Sequence, residues 1–285
     1  MEFRHDGGGA MTLTLRRVSV RIPLAPGRIV HAVTDADLVV AHGTVHGLIG
    51  ASGSGKSMLS ATVTGLLPAR ARVTGTVVLD ADGRTYSAAR LARARGRTVA
   101  SVPQSAMTYF TPVRRLGSQL AETIRYLGTG HDPGALLRRV GLPADVLRRY
   151  PHELSGGMAQ RAAVAFALAG DPALIIADEP TSALDATRAA AILDLLGEFA
   201  AGGGSVLLVT HDLTALRAAR ICTDVSVMYA SRIVETGSAE QVLTDPAHPY
   251  TRDLLAALPE NGLHPLPFPT PELVNLPADF HYGAS

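Results

Sequence analysis

Eight consecutive residues, Gly50-Ala51-Ser52-Gly53-Ser54-Gly55-Lys56-Ser57, restrict what this chain can fold into more than any other stretch. They read G-x-x-x-x-G-K-S. An apolar run, 45–49, precedes them and a helix-like run, 57–67, follows. A strand, a glycine loop and a helix in that order form a phosphate-binding unit. Glycines let the backbone curl so that successive N–H groups converge on an anion. The helix N-terminus adds its positive dipole end. Lys56 can reach the outer phosphates as a compact point charge. The Ser57 hydroxyl can bind Mg²⁺. Of the 26 basic residues Lys56 is the only lysine, and the other 25 are arginine. A forked, planar guanidinium would not fit the space that an ammonium fills.

Net charge is +1 over 285 residues, which gives no electrostatic case for a nucleic-acid partner. The apolar share of 47% is ample for a buried core. A single cysteine, Cys222, excludes an internal disulfide and reads as a buried small hydrophobe. No run approaches the ~18 apolar residues that a membrane helix needs. Residues 1–11 read as a disordered leader.

In chain order, 12–22 alternate apolar and polar residues as a half-buried strand does. Runs at 36–40 and 44–49, split at His42-Gly43, read as a hairpin. Strands are expected at 73–80 and 98–102, with a tight turn at Asp82-Gly83 and a solvated basic connector at 84–97. From about 105 to 165 only helical spacing is found, which predicts a helical insertion between two halves of a sheet. The run 173–177 is continuously apolar, as for a strand buried on both faces. A helix over 187–201, a strand over 206–209, a helix over 213–219 and a strand pair at 225–229 and 232–235 follow. This order argues for a largely parallel α/β sheet. The proline-rich tail from 259 to 285 reads as irregular.

The strand at 173–177 delivers Asp178 and Glu179 at its C-terminal edge, where α/β folds bind ligands. Asp178 is expected to hold Mg²⁺ and Glu179 to polarise an attacking water as general base. His211 ends the next strand, and Gln104 follows the strand at 98–102. The imidazole is expected to face a terminal phosphate, and the Gln104 amide to ligate Mg²⁺ or water. Leu154-Ser155-Gly156-Gly157-Met158-Ala159-Gln160-Arg161 is a second phosphate-binding device, a serine N-cap and two glycines opening a helix. Two such devices suggest a head-to-tail dimer, in which Ser155, Gly156 and Gly157 of one subunit close over the Lys56 loop of another.

With these motifs in place, the chain resembles the ATP-binding subunits of ABC transporters over about 12–258. Residues 50–57 match the Walker A motif, Gln104 the Q-loop and 154–160 the ABC signature. Residues 174–179 match Walker B, Ser182-Ala183-Leu184-Asp185 the D-loop, and His211 the switch histidine. The resemblance implies a P-loop NTPase with a RecA-like, mostly parallel sheet, an antiparallel β subdomain and an inserted helical subdomain. It implies ATP and Mg²⁺ as cofactors and makes Lys56, Glu179 and His211 catalytic. Residues 50–57, Gln104, Ser155, Gly156, Gly157 and Asp185 are then the nucleotide contacts, with Ser57, Gln104 and Asp178 at the metal.

Pro103-Gln104-Ser105-Ala106-Met107-Thr108-Tyr109-Phe110-Thr111-Pro112, Tyr150-Pro151-His152-Glu153 and His248-Pro249-Tyr250-Thr251 are similar to stretches of peptide and nickel importers. That likeness implies import of a peptide or a metal chelate. It implies a second, non-identical ATPase subunit, two membrane-spanning subunits, an extracytoplasmic solute-binding protein and a place on the cytoplasmic face of the membrane. Tyr109 and Phe110 are either contacts for a membrane subunit or plain core aromatics. An exporter ATPase and a soluble, non-transport ABC ATPase remain alternatives. Two features depart from the family. No aromatic stands in 24–33, where one often stacks on adenine, which leaves Arg28, His31 or apolar side chains for that role. No cysteine follows His248, so no iron–sulfur cluster is expected.

Overall fold

A computed structural model of the chain describes residues 11–81, 84–261, 265–268, 270–277 and 279–283. The leader at 1–10 and the turn at Asp82-Gly83 lie outside the described residues. The strands, in chain order, are β1 (Met11–Ala25), β2 (Arg28–Ala41), β3 (Val45–Ile49), β4 (Arg72–Ala81), β5 (Arg84–Ser87), β6 (Val99–Val102), β7 (Leu174–Asp178), β8 (Ser205–Thr210), β9 (Asp224–Tyr229) and β10 (Arg232–Ser238). The helices are α1 (Lys56–Thr64), α2 (Ala88–Leu91), α3 (Ala106–Tyr109), α4 (Leu116–Leu127), α5 (Pro133–Arg139), α6 (Gly156–Leu168), α7 (Ala186–Ala201), α8 (Leu213–Ala219), α9 (Ala239–Thr244) and α10 (Pro249–Ala256).

The strands form two sheets. An antiparallel sheet has the order β2-β1-β4-β5, and a six-stranded sheet has the order β10-β9-β3-β8-β7-β6. In the second, β9, β3, β8, β7 and β6 run parallel and β10 turns back along the edge. The apolar runs of the central strands follow from burial on both faces. Leu48, Leu174, Ile176, Leu207 and Val209 pack with the antiparallel sheet and with Leu59 and Val63 of α1. The alternate residues, Ile49, Ile175, Ala177, Val206 and Leu208, pack on the other face with α6 and α7. The α/β class with a separate antiparallel sheet agrees with expectation. Residues 103–173, between β6 and β7, hold helices and no strand.

Three local expectations are corrected. The runs flanking His42-Gly43 do not form a hairpin: β2 pairs with β1, and β3 lies in the other sheet between β8 and β9. All five residues of β3 are buried, and a strand covered on both faces takes parallel neighbours on both sides. The turn between the sheets is held by Ser205, whose Oγ donates to the Ala41 carbonyl (3.1 Å) and accepts from the Gly43 N–H (3.2 Å). The basic stretch 84–97 is more than a connector, since β5 pairs with β4 and Leu91 of α2 is fully buried. Met11, assigned to the leader, already sits in β1 opposite Ala41. The tail has little regular structure, yet it is docked. Val274 bridges to Val30, the His31 N–H donates to the Leu273 carbonyl (2.8 Å), and Leu276 is buried.

Candidate functional site

Parallel pairing puts the C-terminal ends of β3, β7 and β8 on one edge, with Ile49 opposite Thr210 and Asp178 opposite Val209. The residues that follow these ends are Gly50, Glu179 and His211. Gln104 comes two residues after the end of β6, whose Val102 pairs with Ala177. Residues far apart in sequence therefore meet along one rim.

The phosphate loop turns between β3 and α1 on left-handed glycines. Gly50 has φ 150° and Gly55 φ 110°. A Cβ on Gly50 would lie 2.1 Å from the Met228 carbonyl oxygen, and one on Gly55 2.2 Å from that of Ala32. Neither position admits a side chain. Lys56 is buried at the start of α1, and its Nζ donates to the carbonyls of Gly50 (2.7 Å) and Ala51 (3.0 Å). Burial lowers its pKa, and the carboxylates of Glu179 and Asp178 oppose that shift.

Ser57 Oγ donates to Asp178 Oδ1 at 3.2 Å. Burial raises the Asp178 pKa and the Ser57 hydrogen bond lowers it; the Glu179 charge raises it further, against Lys56. A hydroxyl and one carboxylate at a helix N-terminus are hard oxygen donors and fit Mg²⁺. That ion keeps several waters and takes only one or two carboxylates alongside phosphate oxygens. Among the described residues no cluster of three or more His, Cys, Asp or Glu forms a self-sufficient metal cage.

Glu179 adopts φ 50°, a strained conformation for a non-glycine residue, and is held there by its N–H on the Val209 carbonyl (2.8 Å). Its carboxyl is nearly buried. Oε2 accepts from His211 Nδ1 at 2.8 Å, and the His211 backbone N–H points to the same oxygen at 3.4 Å. A carboxylate oxygen accepts, so His211 Nδ1 is the donor in this contact. Half of the His211 side chain is exposed (52%), against 11% for Glu179.

Ser155, Gly156 and Gly157 make no hydrogen bond to this rim among the described residues. Ser155 caps α6 by accepting the Met158 N–H (3.3 Å). A Cβ on Gly156 would meet Leu184, and one on Gly157 would press on Arg188 at 2.9 Å. Asp185 caps α7, accepting the Arg188 N–H (3.0 Å) and pairing with its guanidinium (3.0 Å). Among the described residues no hydrogen bond joins 155–157 to 50–57. Arg28 and His31 lie on β2 where the tail is docked; burial lowers the His31 pKa, with Arg21 and Arg232 adding to the effect. Phe110 is buried against Phe166 (ring centroids 5.1 Å), whereas Tyr109 is half exposed.

Two contacts at this site went unread in the sequence. Gln160 Nε2 donates to the Pro103 carbonyl (2.9 Å), tying α6 to the segment before Gln104. The Tyr250 hydroxyl accepts the Ala51 N–H (2.9 Å). Gln160 closes the signature stretch and Tyr250 lies in the His-Pro-Tyr-Thr element, so both belonged to recognised motifs. Contacts across 57 and 199 residues carry no local signal.

The family model described as ABC transporter matches residues 33–182, and that described as the oligopeptide/dipeptide transporter C-terminal region matches 234–278. The chain is 38% identical over 285 residues to the oligopeptide transport ATP-binding protein OppD of Lactococcus lactis subsp. cremoris, covering 94% of this chain and 83% of that one. Identity is also 38%, over 269 residues, to an Escherichia coli protein named for D,D-dipeptide transport, DdpD, covering 87% and 80%. A solved dimer of the ATP-binding cassette MJ0796 with ADP and Pi superposes with a TM-score of 0.67 at 25% identity, covering 79% of this chain and 98% of that one.

Proposed function

The chain belongs to the family of ABC transporter ATP-binding proteins and is an ATPase; from that premise we propose that it drives the import of peptides across a cell membrane. The observation that carries the reading is one rim bearing Lys56, the Ser57–Asp178 pair and the Glu179–His211 pair, on a chain whose C-terminal region matches that of oligopeptide and dipeptide transporters. The relatives' names speak of oligopeptides and dipeptides, so peptide is carried forward and nickel is not.

In this reading the loop amides of 52–57 and the start of α1 cradle the phosphates of ATP. Ser57 and Asp178, with Gln104, would hold Mg²⁺, which would neutralise phosphate charge. Glu179 takes the proton of the water that attacks the γ-phosphorus, and ADP leaves. His211 Nδ1–H aims that carboxylate, and the imidazole faces the γ-phosphate. Ser155, Gly156, Gly157 and Asp185 act on a nucleotide held by a second ATP-binding subunit; among the described residues no hydrogen bond joins 155–157 to 50–57 of the same chain. That subunit is a non-identical chain. With Cys222 as the only cysteine, the chain lacks the thiolates for an iron–sulfur cluster of its own.

Among the described residues no helix is long and apolar enough to cross a membrane. The work is therefore passed to membrane-spanning permease subunits from the cytoplasmic face. A groove of about 870 Å³ lined by Leu66, Arg93, Tyr109, Arg114 and Tyr126 is the surface on which one of them docks. A solute-binding protein on the far side delivers the peptide. The test is uptake of a labelled peptide in a strain lacking this gene. The wild-type chain restores uptake and copurifies with two multispanning subunits. Glu179→Gln copurifies but leaves ATP turnover about 10²–10⁴-fold lower. Wild-type turnover in Glu179→Gln, or copurification with ribosomes or DNA instead of permeases, refutes the reading.

A further inference from the structure

The Gly50–Ala51 peptide is gripped from both sides. On one side the Gly50 carbonyl accepts Lys56 Nζ at 2.7 Å. On the other, the Ala51 N–H donates to the Tyr250 hydroxyl at 2.9 Å. The two groups belong to a single peptide plane, in which C=O and N–H point in opposite directions. Whatever fixes one fixes the other. The Ala51 N–H, which could otherwise turn toward an anion, is committed to the phenol.

Tyr250 is built to hold that position. It is the second residue of α10, and its side chain is fully buried. Its ring lies 4.4 Å from Tyr229 and 5.2 Å from Tyr282, centroid to centroid. Tyr282 is anchored in turn, its hydroxyl donating to Asp253 Oδ2 at 2.7 Å. The phenol thus reaches the loop from a cage made by α10, β9 and the tail. A second tie runs alongside, from the Ser231 N–H to the Ser54 carbonyl at 2.9 Å.

We propose that Tyr250 is a positioning residue for the phosphate loop: its hydroxyl orients the Gly50–Ala51 peptide, whose carbonyl in turn sets the place of the Lys56 ammonium. The C-terminal element, far from the loop in sequence, is thereby part of the apparatus that binds phosphate. Coupling of this kind is reciprocal, so bound nucleotide also strengthens the docking of α10 and the tail. The inference concerns nucleotide binding by this chain and stands or falls independently of which solute is transported.

The test uses Tyr250→Phe, which keeps the ring and removes only the oxygen. Lys56 is the only lysine, so the chain labelled with [ε-¹³C]lysine gives a single NMR signal that reports its ammonium directly. Expected are a displaced Lys56 signal in the nucleotide-free variant and binding of MgATP, read by titration calorimetry, about five-fold weaker. The unfolding temperature without nucleotide stays near that of the wild type. The control Tyr282→Phe, which leaves the Tyr250 oxygen in place, moves neither the signal nor the affinity. An unmoved Lys56 signal with unchanged affinity in Tyr250→Phe overturns the proposal. So does an equal loss in Tyr282→Phe, which would assign the effect to ring packing. Should Tyr250→Phe not fold, hydrogen exchange of the wild-type chain decides. The Ala51 amide is expected to exchange at least ~10-fold more slowly than an open amide, and exchange at the unprotected rate overturns the inference.

Discussion

His46 gives a pH dependence of stability that can be worked through from its surroundings. It lies in β3 at the centre of the parallel sheet and is 2% exposed. Its Nε2 is 2.9 Å from Ser226 Oγ, which is itself 2.8 Å from Thr236 Oγ1. Burial pushes the imidazole pKa down from 6.5 to about 4, against a smaller opposing effect of a hydrogen bond with the Val39 backbone. The folded state therefore holds His46 neutral, while the unfolded chain takes up a proton below pH 6.5. Between these values the unfolded state binds more protons, so stability rises with pH. The contribution is fully present above pH 6.5 and is lost as pH falls toward 4. The full linkage is about 3 kcal/mol, of which about 2 kcal/mol disappears between pH 7 and pH 5. The chain has no tryptophan, so urea unfolding is followed by circular dichroism, for the wild type and for His46→Leu. Leucine cannot titrate, and Ser226 keeps Thr236 as a partner. His46→Leu lacks this titration, so on going from pH 7 to pH 5 the wild type loses about 2 kcal/mol more stability than the variant. A difference in pH response below about 0.5 kcal/mol would refute the argument that a buried neutral imidazole is coupled to folding.

Other residues give shorter tests. Asp178→Asn weakens ATP binding about ten-fold or more when Mg²⁺ is present and changes it little in EDTA, because the lost charge serves the ion; calorimetry under both conditions reads the contrast. Gly55→Ala forces a Cβ to within 2.2 Å of the Ala32 carbonyl at φ 110°, so the loop shifts and nucleotide affinity falls by at least ~10-fold, while far-ultraviolet dichroism keeps its shape. The Cys222 thiol is pushed up to about 12 by burial, with Asp224 adding to the effect. Iodoacetamide therefore labels it on the order of 100-fold more slowly in the native chain than in urea at pH 7.4.

Much of the site is written locally. G-x-x-x-x-G-K-S carries its own strand, turn and helix start, and the glycines at 50 and 55 are required by the approach of Met228 and Ala32. The apolar runs of β7 and β8 declare strands covered on both faces. Asp178 and Glu179 could be placed at a strand end because strand length alone sets where they emerge. Such features depend on residues a few positions apart, where chain geometry leaves few alternatives.

Partner choice is different. Whether β3 pairs with β2 or with strands more than 150 residues away is decided by total burial, and the short turn at His42-Gly43 is compatible with either. The pairing of Glu179 with His211 depends on β7 and β8 being neighbours in register. Leu91 in a basic stretch becomes core only because the antiparallel sheet covers it. The tail shows no period, yet it docks through the Val274–Val30 bridge and the aromatic cluster around Tyr229. The sequence by itself determined a phosphate site, its acidic companions and an α/β scaffold. Tertiary structure alone decided that Tyr250, 199 residues from Ala51, grips the loop, since such contacts arise only when separate elements bury each other's surfaces.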